Sequence, residues 1–171
     1  QWAQAQLETL KASTSKLIAN DAMELSLIIT DNYNLDTTEI AMSNFAAADL
    51  LTYQQRYSEA LAKYDSILIS FSGHTLSDEI FMRKAEIFLL QGKFDFALTE
   101  LEKIENEWSY DILADDALYK RAKVYDNKLQ DTENAMVLYE KILLEHSSSI
   151  YVSESRKRYR ELRGDNLINE E

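Results

Sequence analysis

An alanine returns every 37 or 38 residues along this chain, at positions 60, 97 and 135, with similar company each time. Ala60 is followed by Leu61, Tyr64 and Ile67. Ala97 is followed by Leu98, Leu101 and Ile104, and Ala135 by Met136, Tyr139 and Ile142. Upstream of each lies a second recurring alanine, Ala48, Ala85 and Ala122, with Leu51, Phe88 and Tyr125 three residues later. A fixed period of this length predicts a solenoid, whose units cannot bury their apolar faces alone and must stack. A stacked scaffold is suited to holding other proteins. Nothing in the repeat names the partner.

The periods within each unit are helical. Residues 38–53 place Ile40, Phe45, Ala48 and Leu51 on one apolar face, with Thr37 or Thr38 as the cap. After the turn at Gln54–Arg56, Tyr57, Ala60, Leu61, Tyr64, Ile67 and Leu68 predict a second helix over 57–71. The same reading gives helices at 78–90, capped by Ser77, at 94–107, at about 112–127 opening at Asp111–Asp115, and at 132–146. Gly92 supplies a helix stop that Gln55 supplies less comfortably one period earlier. An extra residue near Leu129–Asp131 lengthens the third turn. Zero prolines and three glycines leave little material for sheet turns, which agrees with an all-α chain.

With this spacing the chain resembles the tetratricopeptide repeat (TPR) family, whose helix-turn-helix unit of about 34 residues carries an alanine, three residues, then an aromatic. Ala60–Tyr64 and Ala135–Tyr139 match, and Ala97–Leu101 keeps the spacing with an aliphatic. The proline that commonly closes the family's repeat is serine here (Ser72, Ser109, Ser147), and the period is longer. The resemblance implies a TPR-like right-handed α-α superhelix forming one domain over 1–171. Its parts are clear repeats at about 41–74, 78–111 and 114–149, a degenerate pair over 3–31, a cap helix over 150–163 and a polar tail over 164–171. In the cap helix Val152, Ser155, Tyr159 and Leu162 face inward and the bases outward. The run from Ser155 to Asp165 also looks like the ending of larger bacterial multi-repeat TPR proteins. The start at Gln1, without an initiator methionine, reads as a processed or excised piece. Both a cell-envelope (periplasmic) and a cytoplasmic location agree with the sequence.

In this family the first helix of each repeat lines a concave groove for an extended peptide or a partner helix. Carried over by position, the groove residues are Phe45, Asp49, Thr52 and Tyr53, then Met82, Arg83, Glu86 and Leu89, then Tyr119, Lys120 and Lys123. Acids lie toward the earlier repeats and bases in the third, so a bound segment would run with opposite polarity. The family's chaperone-binding members hold terminal carboxylates with lysine, asparagine and arginine. The corresponding places here hold Phe45, Asp49, Arg83, Asp116 and Lys120, and Asp49 would repel such a ligand.

Charge and residue types narrow the function further. The net charge is −12, and residues 1–149 carry 13 basic against 25 acidic side chains. That surface repels phosphate backbones, which argues against nucleic-acid partners. No apolar run approaches the roughly 18 residues of a membrane span. There is no cysteine, no Gly-rich phosphate loop, no Gly-x-Ser-x-Gly elbow and no helical two-histidine motif. The two histidines, His74 and His146, follow second helices, where a cation complements the helix dipole. No catalytic residue, metal or cofactor is expected. The expected function is a non-catalytic scaffold binding a peptide or partner helix. The alternative is a structural segment that extends a longer solenoid or self-associates through its N-terminal end. Arg156, Lys157, Arg158, Arg160 and Arg163 form a basic terminal helix, read as a solvated cap face or as a contact for an acidic partner or lipid head groups.

Overall fold

The computed structural model describes residues 2–12, 16–33, 40–109 and 113–165. Among these the regular structure is entirely helical: α1 (Trp2–Lys11), α2 (Lys16–Tyr33), α3 (Ile40–Tyr53), α4 (Tyr57–Ser70), α5 (Ser77–Leu90), α6 (Phe94–Glu107), α7 (Ala114–Val124), α8 (Thr132–Glu145) and α9 (Val152–Arg163). The expected caps Thr37 and Thr38, the opening at Asp111 and the tail from 166 lie outside the described residues. The chain forms two compact units, Gln1–Ser77 and Asp78–Glu171.

In the first unit α1 pairs with α2 and α3 with α4. The α1–α2 contact buries Leu7, Ala22 and Ser26, and Gln4 donates to the Ser26 hydroxyl at 2.7 Å. The α3–α4 pair is better filled. Ala41, Phe45 and Ala48 bury on one side and Ala60, Tyr64 and Ile67 on the other. The Phe45 and Tyr64 rings lie 5.8 Å apart between centroids. The small alanines let the two backbones approach while the rings fill the space left over.

In the second unit Met82 and Ala85 of α5 pack with Leu101 and Ile104 of α6 and Ala117 of α7. A neighbouring cluster joins Leu118 and Ala122 of α7 to Ala135, Leu138, Tyr139 and Ile142 of α8, with Val152, Tyr159 and Leu162 of α9 laid against it. All six recurring alanines are fully buried. Ion pairs also cross this apolar packing. Lys84 meets Glu100 at 3.3 Å between α5 and α6, and Glu105 of α6 holds both Arg121 of α7 and Lys141 of α8.

The turns within pairs share one device. Gln55, Gly92 and Gln130 all adopt the left-handed conformation, at φ 60°, 70° and 54°. After the first two, the next amide closes back onto the carbonyl five residues earlier, Arg56 to Leu51 and Lys93 to Phe88, each at 2.9 Å. In the third, Asp131 closes onto Tyr125, six residues earlier. The extra residue is taken up by a π turn over Tyr125–Leu129, so the insertion widens the end of α7 instead of displacing α8. A left-handed glutamine costs about 1–2 kcal/mol that glycine avoids, less about 0.5–1 kcal/mol of glycine's unfolded-chain entropy. Gln55→Gly is therefore expected to stabilise the first unit by about 0.5–1 kcal/mol. A lowered thermal midpoint for this variant would show that the glutamine side chain, exposed here, contributes a contact of its own.

Ser77 is not the cap expected before α5. It is the first residue of that helix, and its hydroxyl donates to the His74 carbonyl at 2.7 Å. His74 serves this turn, its Nδ1 accepting from the Leu76 amide at 3.1 Å. His146 follows α8 directly, its amide closing onto Ile142.

Candidate functional site

The residues expected to line a groove separate into core, turn and surface. Phe45 and Met82 are buried core side chains, which corrects their assignment to a ligand-facing surface. Their helices turn them inward because each stands three residues before the buried alanine, on the same face. Asp49 accepts a hydrogen bond from the Tyr64 hydroxyl, so it serves the α3–α4 packing. The Thr52 hydroxyl donates to the Ala48 carbonyl at 3.1 Å within its own helix. Tyr53 is 88% exposed at the end of α3 and remains accessible.

In the second unit the structure gathers Arg83, Glu86, Tyr119, Lys120 and Lys123 into one line. Glu86 of α5 pairs with Arg83 at 3.2 Å and with Lys120 of α7 at 3.0 Å. Burial pushes the Glu86 carboxyl up, but the two cations outweigh it and hold it below the ordinary range. Lys123 of α7 reaches Glu154 of α9 at 3.2 Å and lies over the Tyr119 ring. Tyr119 stacks flat on Tyr151, with centroids 4.1 Å apart and an interplanar angle of 9°. Leu89 is half-buried toward the end of α5.

Sequence reasoning missed Tyr151 and Glu154, and named Asp116 only as a place corresponding to the chaperone-binding clamp. The Tyr151 hydroxyl donates to Asp116, whose carboxyl is raised by burial despite that bond. Burial likewise raises the phenols of Tyr119 and Tyr151. Tyr151 falls in the sequence within the cap helix over 150–163, which reads only as a solenoid end. The available signal was Ser155. It is a small residue 33 positions after Ala122 and, like it, fully buried. That register makes α9 a first helix facing α7.

The line therefore runs across α5, α7 and α9 as acid–base pairs flanking an aromatic stack, half-exposed throughout. It offers charge and aromatic surface. Among the described residues no group of three or more His, Cys, Asp or Glu side chains is arranged to hold a metal ion. Among them, too, no helix is long and apolar enough to cross a membrane.

Comparison with known proteins agrees with this architecture. A crystal structure of a tetratricopeptide repeat protein from Parabacteroides merdae matches with a TM-score of 0.58 at 21% identity, covering 96% of this chain. The match covers 61% of that protein, so the present chain spans less than two thirds of its length. At that identity the likeness carries the fold, an all-α TPR-like solenoid, and nothing more. No curated protein matches the sequence. The family model described as the tetratricopeptide repeat protein 21 ARM repeat matches residues 3–142. With the recurring alanines buried as a helical repeat requires, and the model matching most of its length, the chain belongs to the tetratricopeptide repeat protein 21 ARM repeat family.

Proposed function

We propose that the chain is a non-catalytic scaffold that holds a peptide or partner helix against the exposed faces of its first helices. Folds of this kind commonly serve protein interaction. The observation that carries the reading is the line Arg83–Glu86–Lys120 with Tyr119, Tyr151, Lys123 and Glu154. These side chains lie outside the buried clusters, yet they are held in place by one another. Aromatic surface with ordered charges around it suits recognition of a protein segment, since the rings supply contact area and the charges set register. Tyr53 offers a comparable exposed ring on the first unit. The partner is a protein and not a nucleic acid, because the net charge of −12 opposes phosphate.

A second reading is supported by α1 and α2, where Leu10, Met23, Leu25 and Leu27 stand 43–57% exposed. Exposed apolar side chains there suit stacking against another repeat or another copy. One experiment separates the two. A photo-crosslinking residue is placed at Lys120, at Leu27 and, as control, at Lys93 of the protein in its native cell. The scaffold reading expects partner adducts from Lys120 that are absent from Lys93. Self-adducts from Leu27, with none from Lys120, would replace it with the stacking role.

A further inference from the structure

Ion pairs between successive first helices recur at one register in the second unit. Glu86, the residue after buried Ala85, reaches forward to Lys120 of α7. Lys123, after buried Ala122, reaches forward to Glu154 of α9. Arg156, after buried Ser155, stands at the same register on α9 and is exposed. Its side chain makes no hydrogen bond or ion pair with any described residue, and neither do the exposed side chains of Lys157 and Arg160, which act on Glu154 and Asp165 only through space. Other bases of this helix are used internally. Arg158 holds Asp126 at 2.7 Å and Glu161 at 2.9 Å, and Arg163 pairs with Asp165.

The unfilled step has a definite chemistry. Arg156 and Arg160 are four residues apart, on one face and separated by about 6 Å along the axis. They match carboxylates one turn apart on a neighbouring helix, and both filled steps are helix-to-helix. The apolar side chains of α9, Val152, Tyr159 and Leu162, are turned onto the α7–α8 cluster. The basic side therefore presents no apolar group to insert into a bilayer, and the net charge of −12 opposes approach to an anionic membrane.

We propose that α9 docks an acidic helix of a partner protein, whose carboxylates one turn apart pair with Arg156 and Arg160, with Lys157 beside them. The proposal rests on the scaffold reading in that it extends the same first-helix surface by one step and assigns its partner's chemistry there. Exposed charge pairs contribute modestly, so the contact is weak alone, sensitive to salt and selective mainly for sign and spacing.

The test uses the whole chain and a stapled, alanine-rich helical peptide carrying glutamates at i, i+4 and i+7. Its counterparts carry glutamine or lysine at those positions. Wild type is expected to bind the glutamate peptide saturably and not the glutamine one. The double variant Arg156→Glu/Arg160→Glu is expected to bind it about tenfold or more weakly and to gain binding of the lysine peptide. Lys93→Glu/Lys128→Glu, with the same change in net charge, should bind the glutamate peptide as wild type does. Arg156→Gln/Arg160→Gln gives the loss without reversal, and unchanged helicity by circular dichroism shows that each variant folds. The proposal is overturned by absent glutamate-peptide binding, by equal loss in the Lys93/Lys128 variant, or by equal binding of the glutamine peptide. It is also overturned if phosphatidylserine vesicles, or a second copy of the chain, engage Arg156 and Arg160 while the peptide does not. Partner adducts at Lys120 that persist through such a failure would leave the scaffold reading standing.

Discussion

Tyr64→Ala is expected to destabilise the first unit by about 4 kcal/mol, enough to unfold α3 and α4 at ordinary temperature. Tyr64 is fully buried, its ring meets Phe45, and its hydroxyl donates to Asp49. Removing the ring leaves a cavity between two helices whose other contacts are largely alanine, so the pair has little with which to refill it. Tyr64→Phe keeps the ring and forfeits the bond to Asp49, for a loss of about 1 kcal/mol. The order of the urea midpoints, wild type above Phe above Ala, is the measurement. A midpoint for the alanine variant within experimental error of wild type would mean that α3 and α4 do not pack through this face.

Glu105→Ala is expected to cost the second unit about 3 kcal/mol by breaking a buried ionic junction. Glu105 is the common partner of Arg121 and Lys141, and so joins α6 to α7 and to α8. The Arg121 side chain is only 11% exposed and retains Glu102 at 3.4 Å. The loss comes chiefly from leaving that guanidinium desolvated with one weak partner, not from the intrinsic worth of the pair. The double variant Glu105→Leu/Arg121→Met should accordingly recover much of the stability, since matched apolar groups carry no desolvation cost. Trp108 lies against Phe81 in this unit and provides a fluorescence signal for its unfolding. If the double variant is no more stable than Glu105→Ala, the junction contributes by specific geometry and not by relief of a stranded charge.

What could be read from the residues was whatever depends on period. Small side chains at 48, 85 and 122 and at 60, 97 and 135 specify close helix contacts, because a small side chain lets two backbones approach at those places. The positions of Gln55 and Gly92 after the helices likewise marked left-handed stops. Periodicity cannot tell which flank of a helix meets its partner when apolar residues wrap past one face. Phe45 and Met82 occupy positions that face ligand in related repeats and are buried here.

The ligand-facing side was accessible to sequence only as a set of positions. That Glu86 meets Lys120, that Tyr119 stacks on Tyr151 and that Asp116 accepts from Tyr151 depends on how neighbouring helices are offset along their axes. Side-chain packing between repeats sets that offset, and no single helix encodes it. The π turn at Tyr125–Leu129 is another such case. The sequence showed one residue too many, and only packing of α7 on α8 decided that the helix would widen instead of the loop lengthening. By itself the sequence determined an all-helical repeat, its register and its acidic surface, because these follow from local spacing and composition. Tertiary structure alone decided which charges are paired and that the Arg156 and Arg160 side chains form no ion pair among the described residues, because pairing requires two helices and a fixed distance between them.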